Sequence, residues 1–215
     1  MRTSVGVQRG PGLADHGRGV VRYRVRCLDK LGYPFRGDES LLDAGCGDGE
    51  VARLLRTRVR EVTAIDVEPS SNWRNEARLV FRAADAEQLP FADESFDLVH
   101  SKDSLHHMSS PERALSEYRR VLRPGGTALI IEANRYNPVF YPHMTLALGH
   151  RHFSRDHFRS LVRDAFPTVR FGAFEAHYAP PLKRMLRVQH AVEEGLERFR
   201  PFRPLLSYNF AIASD

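Results

Sequence analysis

Leu41-Leu42-Asp43-Ala44-Gly45-Cys46-Gly47-Asp48-Gly49-Glu50 is the stretch that decides the fold. A short apolar run leads into three glycines at alternate positions. Helical apolar spacing follows at Val51, Leu54 and Leu55. The pattern predicts a buried strand over 40–44, a tight turn, and a helix over 50–58. With no Cβ in the way, a glycine backbone turns tightly and lets a ligand lie against it. The first helical turn adds N–H groups aimed at that ligand.

On both sides the chain alternates the same way. Residues 62–67, 79–83, 96–100 and 127–131 read as buried strands, and 20–31 as a helix ending near Gly32. In 111–122, Pro111 opens a helix whose stripe is Ala114, Leu115, Tyr118, Val121 and Leu122. Pro124-Gly125-Gly126 then reads as a turn. Ser154 caps a helix through Ala165, 169–174 alternates like a strand, 181–199 is basic and amphipathic, and 207–213 is a last strand. Strands alternating with helices predict right-handed βαβ units and a mostly parallel sheet with helices on both faces. Two parts are expected: an N-terminal arm and helix over 1–37, flexible through residue 18, and one domain over 38–215 with a partial cap at about 134–157 and 181–203.

Asp66 ends the next strand, about 20 residues after the turn, where a carboxylate can accept from both hydroxyls of a ribose. The dinucleotide fingerprint would place its third glycine at Glu50, and here that glycine comes one residue early. Asp43 stands just before the turn, where it would repel a pyrophosphate but attract an ammonium group. A ligand with an adenosine end and an amino-acid end satisfies both acids, which points to S-adenosylmethionine. Asp85, after the third strand, can accept from the exocyclic amine of adenine.

With these residues in place, the chain resembles the class I S-adenosylmethionine-dependent methyltransferases, closest to the small-molecule branch typified by quinone-biosynthesis enzymes. The matching segments are LLDAGCGDGE, AIDVEP, ADAEQLPF, FDLVHSKDSLHHM and VLRPGGTALIIE, in family order over about 38–133. The resemblance implies a Rossmann-like sheet of seven strands, the last antiparallel, and S-adenosyl-L-methionine as cofactor. It carries cofactor contacts onto Asp43, Gly45, Cys46, Gly47, Asp66, Val67, Asp85, Ala86 and Ser101.

The acceptor side is less specific. His106-His107 follow the fourth strand, and His143, His150, His152 and His157 follow the fifth. Histidine titrates near neutrality, so one of them is expected to take the acceptor proton, His107 first and His152 second. Irregular histidine spacing with two cysteines gives no closed metal-ligand set, so no metal is expected. Tyr136, Phe140, Tyr141, Met144, Leu146 and Leu148 read equally as core beneath a lid or as the acceptor pocket. Asn137-Pro138-Val139-Phe140 follows the fifth strand rather than the fourth and reads as a loop turn, which argues against a base-flipping enzyme. The helix 181–199 would cap the site, dimerise or rest on anionic lipid, and Glu193, Glu194 and Glu197 count against the last.

Composition bounds the remainder. The chain has 215 residues and a net charge of +5, and its only lysines are Lys30, Lys102 and Lys183. Arginines are scattered without a basic block, so no specific nucleic-acid partner is expected. Cys27 and Cys46 make no disulfide framework, no apolar run reaches a membrane span, and the first residues lack a signal-peptide core. The expectation is a cytoplasmic monomer or homodimer acting on a small-molecule acceptor, in bacterial biosynthesis. Methylation of a lipid or polysaccharide precursor and a non-catalytic cofactor-binding module are the alternatives.

Overall fold

The computed structural model describes residues 13–138, 141, 146, 152–176 and 186–215. Its elements are α1 (Leu13–Lys30), β1 (Ser40–Ala44), α2 (Glu50–Leu55), β2 (Glu61–Asp66), β3 (Leu79–Ala83), β4 (Phe96–Lys102), α3 (Pro111–Val121), β5 (Leu122–Ala133), α4 (Arg155–Ala165), β6 (Thr168–Phe174), α5 (Leu186–Arg198) and β7 (Tyr208–Ser214). One seven-stranded sheet has the order β3-β2-β1-β4-β5-β7-β6. β7 runs antiparallel to both β5 and β6, and the other pairs are parallel.

The order reverses at β1. The chain leaves β1 towards β2 and β3, then returns as β4 on the other side. Loops leaving the carboxyl ends of β1 and β4 diverge there and open a crevice. β1 is buried at every residue because both faces are covered. Leu42 and Ala44 join the core under α3 and α4, while Leu41 joins the core under α1 and α2. The predicted α3 stripe is buried at Ala114, Leu115, Tyr118 and Val121. Cys27, Leu28 and Leu31 of α1 pack into the same core as Leu41, Val62 and Leu98.

Several boundaries differ from expectation. Residues 13–18, expected in a flexible arm, are helical, and residues 1–12 lie outside the described residues. α2 stops at Leu55 because Thr57 and Arg58 tighten onto Leu54 and Leu55 by backbone bonds of 3.0 and 2.8 Å. The expected turn at 124–126 lies inside β5, where Gly125 has φ 77° and the register against β4 shifts. The expected helix 181–199 is seen as Leu186–Arg198, with 181–185 outside the described residues. Short 3-10 segments at Leu105–His107 and Arg200–Leu205 carry no periodic signal.

Candidate active site

The turn after β1 is built by glycine conformation and by close approach. Gly45, Gly47 and Gly49 all have positive φ, at 78°, 52° and 77°. A Cβ on Gly45 would lie 2.3 Å from the Ser104 Cβ, so the loop after β4 packs directly on the turn. A Cβ on Gly47 would meet nothing within 4 Å, because this residue faces the open crevice. Asp66 stiffens the turn by accepting the Gly47 N–H at 2.8 Å.

A cavity of about 620 Å³ begins at this turn. Gly45, Gly47, Asp66, Val67, Asp85 and Ala86 border it, as does His107 from the opposite wall. Asp66 also accepts the Glu68 N–H at 3.2 Å, and Asp85 the Glu87 N–H at 2.8 Å. Both carboxylates are thus oriented by their own backbone. Cys46 and Asp43 face a second hollow of about 340 Å³, which shares Gly45, Gly47 and Asp103 with the first and is walled by Tyr23 and Arg24 of α1. The sequence thus brought eight of its nine expected cofactor residues to one crevice. Ser101 is the exception. It is fully buried, and its hydroxyl bonds Ser104 at 2.7 Å and receives Tyr118 at 3.3 Å, so it braces Ser104 rather than bordering the cavity.

The second hollow holds groups with no counterpart in the expected site. His100 Nδ1 lies 2.7 Å from Asp43 Oδ1, while Asp43 Oδ2 and His100 Nε2 are buried without a partner. A buried carboxylate oxygen in that condition fits a donor brought by a ligand, such as an ammonium group. Lys102 is paired with Asp103 and lies over the rings of Tyr208 and Tyr23 at 4.7 and 5.5 Å. Burial alone would lower its pKa, but Asp103 overrides it and the ammonium is held above its ordinary range. Burial raises the Cys46 thiol, with Asp43 and Asp66 adding to it, and pushes Cys27 up to about 11. Neither free cysteine is therefore poised as a nucleophile.

The acceptor wall is organised by Glu132 at the end of β5. One carboxylate oxygen accepts the Ser104 and Leu105 N–H groups at 3.1 and 2.9 Å, and the other meets His106 Nδ1 at 2.6 Å. Burial, then Asp103, raises the Glu132 pKa, and burial lowers that of His106. The His106 ring stands 4.0 Å from His107 and 4.4 Å from His152, centroid to centroid. His152 is buried and borders a hollow of about 650 Å³ with Arg135 and Tyr136. Of the two expected histidines, His107 reaches the cofactor-side cavity, and His152 lies behind His106. Glu132 did have a signal: an acid closing the apolar run 128–131. His143, His150, Phe140, Met144 and Leu148 lie outside the described residues. Among the described residues, no three His, Cys, Asp or Glu side chains are grouped to hold a metal ion.

Comparison with known proteins finds similar chains. Residues 42–130 match the model of a methyltransferase domain. The chain is 39% identical over 114 residues to the 27-O-demethylrifamycin SV methyltransferase of Amycolatopsis mediterranei, covering 47% of this chain and 42% of that protein. It is 40% identical over 102 residues to the malonyl-[acyl-carrier protein] O-methyltransferase of Pseudescherichia vulneris, covering 46% and 40%. The chain thus spans less than half the length of these relatives. Among solved structures, a Haloferax volcanii protein in complex with the Trm112 methyltransferase activator superposes with a TM-score of 0.68 at 21% identity, covering 93% of this chain and 92% of that one. Residues 42–130 thus resemble a methyltransferase domain, and the sheet around them has the fold of that solved structure.

Proposed function

We propose that the protein transfers a methyl group from S-adenosylmethionine to a small-molecule acceptor, in a bacterial biosynthetic pathway. The observation that carries this reading is the pair of joined hollows at the glycine turn, one holding Asp66 and Asp85 and the other an unpartnered Asp43 oxygen. Asp66 would accept from the ribose hydroxyls, Asp85 from the adenine amine and Asp43 from the ammonium group. Gly47 leaves room for the ligand, Gly45 lets Ser104 pack on the turn, Cys46, Val67 and Ala86 would line the ligand, and Ser101 supports Ser104. When bound, S-adenosylmethionine supplies an electrophilic methyl group.

The chain's own contribution is alignment and proton removal. Walls on both sides of the crevice would hold the acceptor's nucleophile close to the donor and exclude water. His106 is the proposed proton acceptor, because Glu132 meets its Nδ1 at 2.6 Å and orients the ring. His107, bordering the cavity, and His152, packed behind, are the other candidates. Calorimetry with S-adenosylhomocysteine is the direct test. Micromolar binding that Asp66→Ala weakens supports the reading, and no binding by the folded protein rejects it.

A further inference from the structure

We propose that α5 and the Arg200–Leu205 segment form a docking face for the surface of an anionic lipid bilayer. This goes beyond methyl transfer and does not rest on it. The observation is how α5 is mounted. Glu193 is buried and accepts from Arg26 Nη2 at 2.6 Å and Gln189 Nε2 at 2.9 Å. Lys30 lies 3.8 Å from Glu193 and is paired with Glu197, which also accepts the Glu175 N–H at 2.9 Å. The charged side of the helix therefore faces α1. The opposite side presents Val188 (59% exposed), Val192 (56%) and Phe199 (54%) to solvent, and the next segment adds Phe202 and Leu205. A surface helix ordinarily turns its apolar side inward, and here the order is reversed. The buried ion pairs fix the rotation, since breaking one partner away would leave a buried charge alone.

Charge selects the occupant. Arg187, Arg198, Arg200 and Arg203 are exposed around the apolar residues. Among the described residues of 187–205, Glu194 is the exposed acid, because Glu193 and Glu197 are turned towards α1. The glutamates that count against a lipid surface in the sequence are thus mostly removed from that surface by the fold. Arginines flanking a narrow apolar ridge match a layer of anionic headgroups over acyl chains. A second copy meeting the same face by two-fold symmetry would set arginines against arginines. The face also adjoins the acceptor side. Asn134 Nδ2 donates to the Pro204 and Leu206 carbonyls, and Asn137 Nδ2 to that of Leu205, each at 2.8 Å. Docking would thus bring Asn134 and Asn137, just after β5, close to the bilayer.

The test is sedimentation of the full chain with vesicles of phosphatidylcholine alone or mixed with phosphatidylglycerol. Binding is expected to the mixed vesicles only, and to fall steeply as salt rises from about 50 to about 500 mM. Arg198→Glu with Arg203→Glu is expected to weaken it about 30-fold, and Val192→Glu about 10-fold. Both variants are expected to keep the melting temperature and S-adenosylhomocysteine affinity of the parent, which separates this outcome from failure of the cofactor site. No binding, equal binding to both vesicles, or binding insensitive to the variants overturns the proposal. A dimer that Val192→Glu dissociates would assign the face to a second copy and overturn it as well.

Discussion

On the cofactor side of the crevice, Asp66 grips the Gly47 N–H only 19 residues away, and Asp85 is set by the backbone of Glu87. On the acceptor side the spans are longer. Glu132 reaches back 26 residues to His106, Asn134 holds the Pro204 and Leu206 carbonyls about 70 residues on, and α1 anchors α5 across 167 residues. Asp66 and Asp85 are set by short-range backbone geometry, and the acceptor side by side chains that meet only after the sheet is complete. Local geometry constrains the cofactor half tightly, whereas the acceptor half is free to differ between chains that share a fold.

Removing the proposed base gives the sharpest test of this contrast. His106→Gln is expected to lower single-turnover methylation by roughly 100- to 10,000-fold at unchanged cofactor affinity. His107→Gln and His152→Gln are expected to cost less. A folded His106→Gln protein at near-normal rate would remove that residue as base, and a large loss in His107→Gln would restore the cavity-facing histidine to the role.

A smaller effect is expected from the acid proposed to hold the ribose. Asp66→Ala deletes a charged hydrogen-bond acceptor, which costs about 1.5–3 kcal/mol, so calorimetry should show S-adenosylhomocysteine binding about 10- to 100-fold weaker. Equal affinity in parent and variant would dissolve the assignment of Asp66 to the ribose.

Stability measurements separate the two halves by another route. Gly45→Ala adds a Cβ 2.3 Å from Ser104 at a φ of 78°, so a loss of about 2–5 kcal/mol is expected by thermal or denaturant melting. Asn134→Ala strands the buried Leu206 carbonyl and frees that of the exposed Pro204, and is expected to cost about 1–3 kcal/mol with cofactor affinity preserved. If Asn134→Ala instead abolished cofactor binding, the two halves would be one cooperative unit.

The smallest effect is in the pH profile. Burial lowers the His106 pKa from its ordinary 6.5, so folding favours the neutral ring. The contribution is present above 6.5 and is lost as pH falls through the lower folded value. The melting temperature should therefore begin to drop below about pH 6.5, and His106→Gln should flatten that part of the curve. Losses at lower pH should remain, because the bond from Arg120 holds Glu117 below the usual carboxylate range. An unchanged profile in His106→Gln would show that the ring does not titrate in this window.

Periodicity and turn chemistry alone determined the alternation of strands and helices, the glycine turn and the place of the two acids that follow it. Each is a local property, written within a few residues of itself or at one βα repeat. Tertiary structure decided what those rules do not reach. It paired Asp43 with His100, turned Glu132 onto His106, and set Ser101 behind Ser104. It also mounted α5 with Glu193 inward, although the helical pattern of 181–199 is equally compatible with the opposite rotation. A helix rotates as a body towards whichever face finds the better partners. Those partners, Arg26 and Lys30, lie so far away in the chain that no window on the sequence contains them together.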